Sequence, residues 1–172
     1  DIAALIGGAW EGVTLTSGAT ESNALALLGA AAAHQDETRR EILISAIEHD
    51  SLHDAAAILA AQGWTVKTIP VTPSGEVTPQ ALAQLLSPRT FLVSVIAAGH
   101  ETGVVQDIAA LAARTRAAGA LFHTDAAQAA GKVDDFRLAR GALQHRRPVR
   151  QHGGQQRIIG RGKRHMRRRI QP

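Results

Sequence analysis

The sequence divides near Phe136 into two stretches of opposite chemistry, and only the first can build a core. Residues 1–136 carry 7 Lys/Arg against all 15 Asp/Glu, a net charge of −8. Residues 137–172 carry 12 Lys/Arg and no acid. In that second stretch, QHRRPVR, QHGGQQR and RGKRHMRRR have neither a 3.6-residue nor a two-residue apolar period, so they offer no face to bury. The pI near 10.6 averages an acidic body and a basic tail and describes neither.

The body alternates strand and helix patterns. Val13–Thr16 reads as a short β-branched strand ending at Ser17-Gly18, and a helical pattern runs from about Thr20 to Ala33. Glu41–Ile47 reads as a buried strand and Leu52–Gln62 as an amphipathic helix stopped at Gly63. Trp64–Ile69 follows as a strand. Thr78-Pro79 is a capping Thr with Pro at the first helical position, opening a helix over Gln80–Leu86. Thr90–Ile96 is the most strand-like run. Ile108–Ala118 is a helix closed by Gly119, and Ala120–His123 a further strand. Near-continuous apolar strands separated by helices predict a three-layer α/β/α fold with a mostly parallel sheet over 1–136, followed by an irregular basic tail over 137–172.

Composition removes several kinds of chemistry. The chain has no Cys, which excludes disulfides, thiolate metal sites and a cysteine nucleophile on this chain. No apolar run approaches the ~20 residues of a membrane span. The start has no basic flank before a cleavable apolar segment. It also lacks an initiator Met, so the chain is expected to begin inside a longer one, and a soluble, cytoplasmic protein is expected.

Ligands of open parallel sheets sit at the carboxyl ends of the strands. Four segments fall there. Thr16–Asn23 (TSGATESN) is a hydroxyl-rich turn opening a helix, which suits a phosphate and equally suits a plain N-cap by Ser17 or Thr20. Glu48-His49-Asp50 offers a His able to stack on a planar ligand, move protons, or simply cap a helix. Gly99–Gly103 (GHETG) follows the third strand. In His123–Gln128 (HTDAAQ) an apolar strand runs into a carboxylate, which is costly unless it meets a cation and which also serves as a helix cap.

Taken in order, Thr16–Asn23, Glu48-His49, Gly99–Ile108 (GHETGVVQDI) and His123–Lys132 (HTDAAQAAGK) closely resemble the cysteine desulfurases, class V aminotransferases dependent on pyridoxal phosphate. The likeness covers about residues 1–136, part of that family's large domain. It implies that Ala19 and Thr20 hold the cofactor phosphate. His49 would stack on the pyridine ring and serve in proton transfer, Asp125 would pair with the ring nitrogen, and Gln128 would hydrogen-bond the phenolic oxygen. His100 stands where the family has an Asn that contacts the same oxygen. The side chains of Thr20, His49, Asp125 and Gln128 are expected to converge on one pocket. The parent reaction would convert L-cysteine to L-alanine and an enzyme-bound persulfide in a homodimer that passes sulfur to acceptor proteins, as in iron–sulfur cluster assembly.

The likeness ends after Phe136. The family continues to a Ser-x-His-Lys segment whose lysine holds the cofactor covalently. Counted from Gln128 it falls near residue 151, where this chain has Pro148-Val149-Arg150-Gln151-His152. The chain is therefore expected to be inactive by itself. The tail reads as a frameshifted end, such as out-of-frame translation of GC-rich DNA. The other reading of it is a basic arm for nucleic acid, though it has no aromatic residue to stack on bases. A different class V aminotransferase or lyase remains as an alternative parent.

Overall fold

The computed structural model describes residues 2–99 and 101–133. His100 and residues 134–172, with the expected boundary at 136 and the basic tail, lie outside the described residues. Helices α1 (Ile2–Ile6), α2 (Ala19–Ala33), α3 (Asp50–Ala61), α4 (Pro79–Leu85) and α5 (Ile108–Ala117) alternate, from α2 onward, with strands β1 (Glu41–Ser45), β2 (Thr65–Ile69), β3 (Thr90–Ser94) and β4 (Leu121–His123). The strands form one parallel sheet in the order β2-β1-β3-β4.

Chain direction explains the layers. The step from β1 to β2 runs one way along the sheet, and the steps from β2 to β3 and β3 to β4 run the other. Right-handed crossovers then place α3 on one face and α4 and α5 on the other. Side-chain alternation along β1 matches this. Ile42 and Ile44 pack with Leu27 of α2 and Leu52, Ala55 and Leu59 of α3. Leu43 points to the opposite core, with Leu82 of α4 and Leu111 of α5. One irregularity interrupts the ladder: Glu41 pairs with Thr90 but Ile42 pairs with Leu92, which leaves Phe91 as an extra residue on β3. That bulge puts the consecutive Phe91 and Leu92 into the same core cluster.

Local signals act as their chemistry requires. Thr78 accepts a 3.1 Å bond from the Ala81 N–H and caps α4, with Pro79 in its first turn. Gly63 and Gly119 take φ of +86° and +72° just beyond α3 and α5, a conformation that costs glycine least. Val13–Thr16, expected as a strand, is not one. Among the described residues the run has no strand to pair with, and β-branching alone cannot supply a ladder. Among the described residues no helix is long and apolar enough to cross a membrane.

Both ends of the sheet carry buried polar residues, Glu41 and Thr90 at its amino end and Ser45 and Ser94 at its carboxyl end. β1 and β3 finish at the buried Ser45 and Ser94, and β1 meets β3 where the strand order reverses. α2 packs on the same face as α3 through Leu27 and Ala31. Leu27 is fully buried on α2 and Leu25 is 53% exposed. Leu27→Ala should therefore lower unfolding stability in urea by about 2–5 kcal/mol. Leu25→Ala should change it by no more than about 0.5 kcal/mol.

Candidate functional site

Two clefts open at the carboxyl ends of the strands. One, of about 320 Å³, is lined by Ala19, Ser22 and Asn23 from the start of α2 and by His123–Ala127 and Ala130 after β4. The other, also about 320 Å³, holds Glu48, His49 and His53 beside Gly99, Glu101 and Thr102.

The first turn of α2 is left open. Its N-cap is Gly18, which has no side chain to cap with, so the alternative of a Ser17 or Thr20 cap is not what the structure contains. Glu21 instead reaches backward: its Oε2 accepts from Ser17 Oγ at 2.6 Å and from the Ser17 N–H at 2.7 Å. Those bonds, the hydroxyl's first, hold the exposed Glu21 carboxyl below the usual range. Thr16 and Ser22 share a further hydroxyl–hydroxyl bond of 2.7 Å. The turn is braced from outside the helix, and among the described residues the N-cap Gly18 makes no side-chain capping bond to the first turn.

Asp125 is fixed at both oxygens. Its backbone C=O accepts from Ala97 N–H, which prolongs the β3–β4 ladder past the end of the strand. Its Oδ1 accepts from Ala127 N–H at 2.9 Å, and its Oδ2 from Asn23 Nδ2 at 2.8 Å. Asn23 Nδ2 also donates to Ser51 Oγ at 3.1 Å. Ser51 Oγ lies 2.9 Å from His49 Nδ1, which also accepts from the Ser51 N–H at 3.1 Å. Three hydrogen bonds thus join Asp125 to His49, the N-cap of α3. Thr124 Oγ1 is buried beside Asp125 without a partner among the described residues.

Behind these groups lies a second buried set. Glu48 Oε1 accepts from Ser45 Oγ at 3.0 Å and Ser94 Oγ at 3.3 Å. Ser94 Oγ is also 2.9 Å from His123 Nδ1. Burial pushes the Glu48 carboxyl up to about 7, against the pull of Ser45, Ser94 and the Ile96 N–H, and the Asp125 charge pushes the same way. Burial lowers the His123 ring to about 4, against the opposing pull of Asp125.

The structure thus seats Ala19 and Asp125 on one cleft and His49 on its neighbour, linked through Asn23 and Ser51. Thr20 stands in the same first turn as Ala19 but lines neither cleft, and Gln128 accepts from Lys132 Nζ at 2.6 Å on an exposed turn. His100 falls outside the described residues. Sequence reasoning passed over Ser51, and it took Asn23 only as the end of a turn. Asn23 had a signal: it shares the buried stripe of α2 with Leu27 and Ala31, and a polar residue on such a stripe needs a partner. Among the described residues no cluster suits a metal ion.

The first cleft thus joins an open helix start, suited to an anion, to a carboxylate held at both oxygens. The chain belongs to the aminotransferase class-V family, whose model matches residues 1–134. Among curated relatives, the cysteine desulfurase IscS of Anaeromyxobacter sp. (strain Fw109-5) is 40% identical over 133 residues, covering 77% of this chain and 33% of that protein. A cysteine desulfurase of Bradyrhizobium diazoefficiens is 41% identical with the same coverage. The chain thus spans about a third of the length of the curated relatives it matches. Of solved structures, DndA from Streptomyces lividans superposes with a TM-score of 0.73 at 40% identity, over 77% of this chain and 37% of that one. SspA in complex with cysteine superposes with a TM-score of 0.70 at 31% identity, over 74% and 37%.

The buried pair gives a pH prediction. The stability contributed by Glu48 is fully present below its ordinary value of 4.5 and lost as pH rises through about 7. That from His123 is present above 6.5 and lost as pH falls through about 4, so the two slopes oppose each other. Glu48→Gln removes only the first. In urea unfolding, E48Q should gain about 3 kcal/mol relative to wild type between pH 4 and pH 8. A difference that does not change with pH would refute the assignment.

Proposed function

We propose that this chain is the cofactor-binding part of a cytoplasmic, pyridoxal-phosphate-dependent cysteine desulfurase. The observation that carries the reading is Asp125. Its carboxylate is held at both oxygens at the end of β4, in one cleft with the uncapped start of α2. The residues present fit the cofactor. A dianionic phosphate suits the Ala19 and Thr20 N–H groups at the positive end of a helix. A ring nitrogen that must stay protonated suits a fixed carboxylate, and the unpartnered Thr124 hydroxyl leaves a polar atom at the same place.

When bound, the cofactor supplies an electron sink for charge at the α-carbon of an amino acid. The protein's part is electrostatic and positional. Ala19 and Thr20 bind the phosphate. Asp125 keeps the proton on the ring nitrogen. His49 would stack on the ring and serve in proton transfer, and Gln128 and His100 would donate to the phenolic oxygen. L-Cysteine as substrate is supported by the names of the curated relatives and by the cysteine complex of SspA. The whole enzyme would be a homodimer that delivers sulfur to acceptor proteins, including those of iron–sulfur cluster assembly. With no Cys among its 172 residues, this chain has no thiol of its own to take the sulfur, and it would be inactive alone.

Titration of the purified chain with pyridoxal phosphate, followed by the ³¹P signal, should give saturable binding. Asp125→Asn, nearly isosteric but uncharged, should weaken it at least tenfold, about 1.4 kcal/mol. Equal binding by D125N and wild type would sink the proposed role of Asp125.

A further inference from the structure

Asp125 and His49 lie 76 positions apart in the chain, yet one buried amide connects them. Asn23 is only 3% exposed. An ionised Asp accepts and does not donate, so the Asn23 atom 2.8 Å from Asp125 Oδ2 must be the nitrogen; that fixes which way the amide faces. Its second hydrogen goes to Ser51 Oγ at 3.1 Å. Ser51 Oγ is therefore already an acceptor. Its own proton is left for His49 Nδ1, 2.9 Å away, and the Ser51 backbone N–H donates to that same nitrogen. The donors run in one direction, from the Asn23 amide through the Ser51 hydroxyl to the imidazole.

We propose that Asn23 and Ser51 are positioning residues that fix His49 as the tautomer with a bare Nδ1 and a protonated Nε2, in register with the Asp125 carboxylate. A ring held this way donates a hydrogen bond from Nε2. It can take up a proton at Nδ1 only by losing the Ser51 N–H contact and reversing the one with the Ser51 hydroxyl, whose oxygen would then accept from both Asn23 and the ring. The same amide supplies a donor to Asp125 Oδ2, so losing Asn23 disturbs the carboxylate and the imidazole together. The chain of bonds stands on geometry alone; its meaning for catalysis rests on the cofactor reading above.

The test is long-range ¹H–¹⁵N correlation on the full chain labelled in histidine, with His49 assigned by its loss in His49→Gln. Spectra are taken at about pH 8, where an ordinary histidine is neutral. Wild type should show a single neutral form with Nε2 protonated. The Ser51 backbone N–H survives in every variant and still favours a bare Nδ1, so Ser51→Ala and Asn23→Leu should each raise the fraction protonated at Nδ1 without making it the sole form, and Ser51→Thr, which keeps the hydroxyl, should restore the wild-type ratio. A purely structural loss would not move the tautomer ratio in a variant whose amide spectrum stays native-like. If Asn23→Leu fails to fold, Ser51→Ala and Ser51→Thr decide the matter. The proposal is overturned if wild-type His49 carries its proton on Nδ1, or if the folded variants keep the wild-type ratio. Titrating pyridoxal phosphate into the same samples separates the two readings. A wild-type chain that does not bind it, yet shows the expected tautomers, would remove the cofactor and leave the positioning intact.

Discussion

Burying an amide on the packing face of a helix costs free energy unless both of its hydrogens find acceptors. Asn23 meets that demand across separations of 28 and 102 residues, to Ser51 and to Asp125. The two bonds set how α2 sits along the sheet. They bring the open first turn of α2 to the loop after β4, and they bring the start of α3 to both. Apolar packing of Leu27 and Ala31 supplies most of the attraction holding α2 down, but such contacts tolerate sliding. The directional bonds of Asn23 select one register among those the apolar face would accept.

The electrostatics of the site follow from where the strands end. Ser45 and Ser94 finish neighbouring strands and both donate to Glu48, which covers this carboxyl end of the sheet with a carboxyl group. Asp125 is close enough to push Glu48 upward, while it favours a charge on His123 that burial opposes. Two carboxyl groups and an imidazole share a poorly solvated region, and the structure separates their roles. Asp125 has a donor on each oxygen. Glu48 keeps one oxygen, Oε2, without a partner among the described residues. A carboxyl raised to about 7 is about half protonated at neutral pH, and this lowers the negative charge that gathers around Asp125.

Much of the layer pattern was legible because periodicity and punctuation are local. The parallel sheet, Gly63 and Gly119 as helix stops, and Thr78-Pro79 as a helix start all follow from a few adjacent residues. Val13–Thr16 misled because a β-branched run looks the same whether or not a partner strand exists. The turn before α2 misled in another way. Ser17, Thr20 and Glu21 are all competent capping groups, and only the backbone path decides that Gly18 stands at the N-cap without a side chain to cap with while Glu21 reaches back to Ser17. The bulge at Phe91 left no trace in the sequence, since it is a property of two strands in register.

The sequence by itself determined which residue types stand at the ends of the strands: a hydroxyl-rich turn, a Glu-His pair and an Asp, in an order that marks the family. Tertiary structure alone decided that Asp125 and His49 share a connection, that Ser51 is its middle member, and that Glu48 and His123 shift in opposite directions. The reason is physical. Residue type and spacing are carried along the chain, but hydrogen-bond direction and desolvation depend on groups from different strands and helices meeting in space, and no stretch of sequence contains that meeting.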